Sequence, residues 1–158
     1  MSTRRARSTL ASVCEAAAAH PDAALLHLGA EFDQLYAAWL PIHAEMWRLH
    51  SQHLEEWEKT GLSIDENLAA YFQLRTKIGL DAVIEASEKA LDPIDAVATK
   101  IRETPAKTFG GLAVKARVLA YDAGLDMRDL PEEKLDGPEK AMNQFIAELD
   151  RLVSTGNA

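Results

Sequence analysis

Only one cysteine, Cys14, stands among the 158 residues, so no internal disulfide can form and a reducing compartment is the simpler setting. No apolar run approaches the roughly 20 residues needed to cross a bilayer, so no membrane partner is expected. No segment alternates polar and apolar residues with a period of two, which excludes an obvious sheet. No stretch repeats at a fixed period. The phosphate-binding Gly-x-x-x-x-Gly-Lys-Ser/Thr, the dinucleotide fingerprint, the nucleophile elbow and His-Glu-x-x-His are all missing. Neither a catalytic residue nor a cofactor is expected on these grounds, although a bundle can assemble a site from distant residues. The opening STRRARSTLASVCEAAAA has the paired arginines of a twin-arginine export signal. Glu15 interrupts the apolar stretch such a signal requires, so a cytoplasmic protein is expected.

What is present is ordinary for a globular chain: 47% hydrophobic and 27% charged residues, enough apolar surface to offset chain entropy. The net charge is -8, with three of the positive charges at Arg4, Arg5 and Arg7. Residues 8–158 therefore carry 14 basic and 25 acidic side chains. A body that acidic repels phosphate backbones, so any nucleic-acid contact is confined to the arginine arm.

Helical periodicity dominates the rest, and the expected fold is all-α. Residues 1–20 read as a basic arm and a short Ala-rich helix, Thr9 to Ala19, with Leu10, Val13, Cys14 and Ala17 on its apolar side. Residues 21–158 read as a single helical domain. Its centre is a long antiparallel hairpin, 22–103, turning over three residues at Thr60-Gly61. On the first arm Leu28, Phe32, Leu35, Trp39, Ile42, Met46, Leu49 and His53 step by four and three. A second row, Tyr36, Leu40, His43, Trp47, His50, Leu54 and Trp57, runs beside it, and the two rows cover about half the circumference. Pro41 is expected to kink or split this arm, and Asp92-Pro93 to kink or restart the second. The stretch SIDE, with Ser63 and Glu66, predicts a capping box that starts the second arm. Two shorter helices follow, 105–123 opening on Thr104-Pro105 and 138–154 opening after Asp136, joined by a solvated acidic loop.

The stretch WLPIHAEMWRLHSQHLEEW, residues 39–57, holds three histidines and three tryptophans. His50, His53 and Glu56 have the i,i+3 spacing of metal ligands on a helix. His43 lies about ten ångströms along the axis from His50, too far to share an ion. The reading preferred is packing: Trp39, His43, Trp47, His50 and Trp57 as core and interface, because the apolar arc is wider than a two-helix seam needs. A homo-oligomer, a dimer first, is the partner expected. At TPAKTFGGLAVKAR, Lys107, Thr108 and Lys115 could hold an anion at a helix N-terminus. The plainer alternative is a capped helix whose Gly110 and Gly111 let a neighbouring helix pack close.

At IRETPAKTFGGLAVKARVLAYD the chain resembles a group of small uncharacterised alphaproteobacterial proteins associated with prophage-like regions. An Ile, a Thr-Pro-Ala, a Thr, a Gly-Leu and a Lys-Ala recur there in this order, a TPAxTxxGLxVKAR-like pattern. PDAALLHLGAEFDQLYAAW is similar to the start of their first long helix. The resemblance covers about a third of the chain. It implies a bacterial, phage-derived origin and carries over no site residue. The function expected is therefore a non-enzymatic helical interaction or structural protein that self-associates. The alternatives are a binding module, for a small apolar ligand or for nucleic acid through the arm, and a His/Glu metal-dependent helical enzyme.

Overall fold

The computed structural model describes residues 20–124 and 135–156. The arginine arm, the helix expected from Thr9 to Ala19 with Cys14, and residues 125–134 of the expected acidic loop lie outside them. Among the described residues there are five helices and no strand: α1 Ala23–Glu58, α2 Leu68–Lys77, α3 Leu80–Glu103, α4 Phe109–Asp122 and α5 Gly137–Gly156. The all-α class is thus as the periodicity implies.

Both prolines ride inside helices that continue past them, Pro41 in α1 and Pro93 in α3. Each is exposed. Their rings face away from the packed side, where the missing N–H disturbs no contact between helices. α1 ends where expected, with Gly61 in the left-handed region at φ 64°.

Two helix starts differ from expectation. The capping box at Ser63 does not form. The Asn67 side-chain amide donates to the Ser63 carbonyl, its backbone N–H donates to the Ile64 carbonyl, and residues 62–67 are irregular with a turn at 64–66 before α2 begins at Leu68. The second arm is then divided at Gly79, whose φ of 83° admits no continuous helix. Asp81, in the first turn of α3, accepts from both Arg75 and Thr76 of α2 and so ties the two pieces together. Thr104-Pro105 is likewise not a helix start. Thr104 finishes α3, its N–H and hydroxyl both bonded to the Lys100 carbonyl. α4 starts four residues later with Thr108 as its cap, Oγ1 accepting from the Gly111 N–H at 3.2 Å.

The chain divides into two compact units, Phe32–Ala96 and Met1–Glu31 with Val97–Ala158. In the first, the buried residues are chiefly large: Phe32, Tyr36, Trp39, Leu49, Trp57, Leu80 and Ile94. In the second no buried ring is found among the described residues: aliphatic side chains such as Leu25, Ile101 and Val118 are buried beside small ones, and Ala113, Ala116 and Ala120 of α4 form a core cluster with Ile146 and Leu149 of α5, against which Met142 packs. Gly29 of α1 lies so near Val114 that a Cβ there would sit 2.6 Å from a Val114 methyl. Among the described residues no helix is long and apolar enough to cross a membrane.

Candidate functional site: the aromatic and imidazole face of α1

Spacing of three and four residues puts six rings of α1 in one succession. Phe32 stacks on Tyr36 with centroids 5.9 Å apart, Tyr36 lies 5.4 Å from Trp39, and Trp39 lies 4.2 Å from His43. His43 then meets Trp47 edge-on at 6.1 Å, and Trp47 meets His50 edge-on at 5.5 Å.

The succession changes character along its length. Trp39 is buried, and its indole N–H donates to Ser87 Oγ of α3 at 3.0 Å. Ser87 is itself buried. Trp57 is buried against Tyr71 of α2, with centroids 5.2 Å apart. These two of the five interface candidates therefore belong to the interior of their unit. His43 and His50 are half-buried. Trp47 is 54% exposed, and Leu54, one heptad on, is 44% exposed.

Trp47 is held in place although it faces outward. Its indole N–H donates to His43 Nε2 at 2.9 Å, and the edge contact with His50 fixes the ring from the other side. Because His43 Nε2 accepts, the neutral ring carries its proton on Nδ1. An exposed indole braced by two imidazoles of its own helix loses little freedom when a partner covers it.

The three candidate metal ligands are each engaged elsewhere. His53 is 1% exposed, its Nε2 donates to the Tyr71 carbonyl at 3.1 Å, and its ring lies edge-on to Tyr71. Glu56 pairs with Lys59 at 2.8 Å, and that ammonium holds its carboxyl below the usual carboxylate range. His50 turns to Trp47. Among the described residues no group of three or more His, Cys, Asp or Glu could hold a metal ion.

The helix N-terminus at Lys107 and Thr108 does bind an anion, and the anion is the chain's own. Asp22, just before α1, is buried there. Its carboxylate accepts from the Lys107 N–H at 3.0 Å, the Thr108 N–H at 2.8 Å and the Thr108 hydroxyl at 2.7 Å. The Thr108 hydroxyl, and then the two N–H groups, hold the Asp22 carboxyl below the usual range, against the upward push of burial. Lys115 reaches the Arg102 carbonyl at 2.9 Å. Gly111 faces Asp22 and Leu25, and Gly110 faces Leu26, so the paired glycines admit a close neighbour as the plainer alternative supposes.

Ser87 lies on the row Leu80, Ile84, Ser87, Leu91, Ile94, Ala98 and Ile101, which steps by four and three, but spacing alone gives it no partner. Its signal was a hydroxyl on the apolar row of α3, a polar residue in need of a buried partner. No protein-family model matches the chain, and no curated protein or solved structure matches it.

Proposed function

We propose that this chain is a non-enzymatic interaction protein that associates with a second copy of itself through the outward part of the α1 face, His43, Trp47, His50 and Leu54. One observation carries the reading: Trp47 is 54% exposed yet fixed by a hydrogen bond to His43 and an edge contact with His50. Large, stiff aromatics in a pre-ordered setting dominate binding energy at interfaces. Four residues at i, i+4, i+7 and i+11 form one stripe, which suits a helix from a second copy packed alongside. A dimer is the state favoured, since a self-complementary stripe closes with two chains.

Light scattering across a concentration series tests this. The wild-type chain should give twice the monomer mass at high concentration. Trp47→Ala should give the monomer throughout with unchanged helical circular dichroism, because the ring it removes is not part of the core. A wild-type chain that is monomeric at every concentration ends the proposal. A phage-derived origin, suggested by the TPAxTxxGLxVKAR-like stretch, is tested separately by the genes that flank it.

A further inference from the structure

The outward stripe of α1 is too small to hold a dimer alone. Trp47 is 54% and Leu54 44% exposed, which at the ordinary size of these side chains leaves about 200 Å² of open apolar surface. A stable dimer covers about 800 Å² on each chain, a little over half of it apolar. About half of the apolar surface is therefore missing from α1, and α2 supplies it.

Trp57 of α1 meets Tyr71 of α2, and Trp39 of α1 meets Ser87 of α3. Going back 18 residues on α1 thus takes the chain forward 16 through α2 and α3, about 27 Å against about 24 Å at helical rise. The near match means that α2 and α3 both run antiparallel along α1. At about 100° per residue, Trp47 and Leu54 lie about 80° and 60° to one side of the line through Trp39 and Trp57. Leu68 and Phe72 lie about 60° and 100° to the same-handed side of Tyr71. Same-handed flanks of antiparallel helices face the same way, so the four side chains share one surface, with Phe72 about level with Leu54. Leu68 is 52% and Phe72 44% exposed, which adds about 200 Å².

Phe72 is braced as Trp47 is. The Arg75 guanidinium lies 5.1 Å from its ring centroid and is paired with Asp81, and Tyr71 meets the ring edge-on at 5.8 Å. Two open rings, each held by its neighbours, lose little freedom on being covered. The unit that carries them, Phe32–Ala96, has twelve acidic and five basic side chains. Two copies of it repel one another, so apolar area rather than ion pairing has to bring them together.

We propose that the second copy is held across both helices, with Leu68 and Phe72 of α2 seated against the partner alongside Trp47 and Leu54. This rests on self-association through α1, and fixes the extent of that surface and its response to salt.

Sedimentation equilibrium of the full chain gives the dissociation constant. Leu68→Ser with Phe72→Ser should raise it at least about tenfold, with unchanged helical circular dichroism. Leu68→Ala, which leaves every ring in place, should raise it about threefold and covers the case of a misfolded double variant. Leu112→Ser with Leu119→Ser, on similarly open leucines of the other unit, should leave it unchanged. Raising the salt from about 0.05 M to about 0.5 M should lower it, because screening relieves the repulsion. A dimer that Trp47→Ala dissolves and the α2 variants leave intact overturns this proposal and spares self-association through α1. A dissociation constant that rises with salt overturns it too, because ion pairs would then hold the copies. A wild-type chain that is monomeric at every concentration removes both.

Discussion

In Phe32–Ala96 the helices meet through large rings, whereas in the other unit they meet through aliphatic side chains, with glycine and alanine where the helices come closest. Trp39, Tyr36 and Trp57 fill the first, and the Trp39 N–H and His53 Nε2 each find a partner across the packing. In the second, Gly111 leaves room for a buried carboxylate, and three alanines let α4 lie against α5. One unit depends on volume and the other on closeness. Deleting atoms should therefore harm the first most, and adding them should harm the second.

The largest effect expected is from Trp39→Ala, which empties a buried ring site and should cost about 3–5 kcal/mol in urea unfolding. Gly111→Ala should follow at about 1–3 kcal/mol, because the new methyl falls on the Asp22 carboxylate and 3.0 Å from a Leu25 methyl. Its sign is the informative part. In an exposed helix the same change stabilises by up to about 1 kcal/mol, so a stabilised Gly111→Ala chain would break the comparison. Ser87→Ala leaves the Trp39 indole N–H buried without its acceptor and should cost about 1–2 kcal/mol, measured the same way.

Asp22→Asn sharpens the comparison through pH, with a smaller effect, since the amide keeps an oxygen to accept from the backbone. The Asp22 carboxyl lies below its ordinary 3.8 in the folded chain. Its contribution is therefore complete above pH 3.8 and is lost as the pH falls through the lower folded value. Urea midpoints of the wild type and Asp22→Asn should differ near neutrality and converge in acid. Parallel curves down to pH 2 would contradict the account. The smallest effect belongs to the exposed pairs within single helices. Glu85→Gln, which breaks the Glu85–Lys89 pair, should leave the urea midpoint unchanged within error.

Sequence pattern went furthest where structure is local. The four-and-three spacing from Leu28 to His53 marked α1, and Gly61 marked its end. TPAKT, by contrast, offers two threonines four residues apart, either able to cap a helix. What decides for Thr108 is a carboxylate 86 positions earlier in the chain. Ser63 and Glu66 match a capping box by type and spacing, yet Asn67 takes the Ser63 carbonyl first. At the candidate site, the ring succession followed from spacing alone. Which rings face inward did not, because that depends on Ser87 and Tyr71 arriving from other helices. Trp39, Trp47 and Trp57 look alike along the sequence, and only their neighbours distinguish them.

That distinction is also the most direct test. With 5-fluorotryptophan in all three positions, fluorine NMR should give three resonances, and serial dilution should shift only the one assigned to Trp47. Three resonances that stay fixed across the whole range, or a concentration-dependent shift confined to Trp39 or Trp57, would contradict association through the outward part of α1.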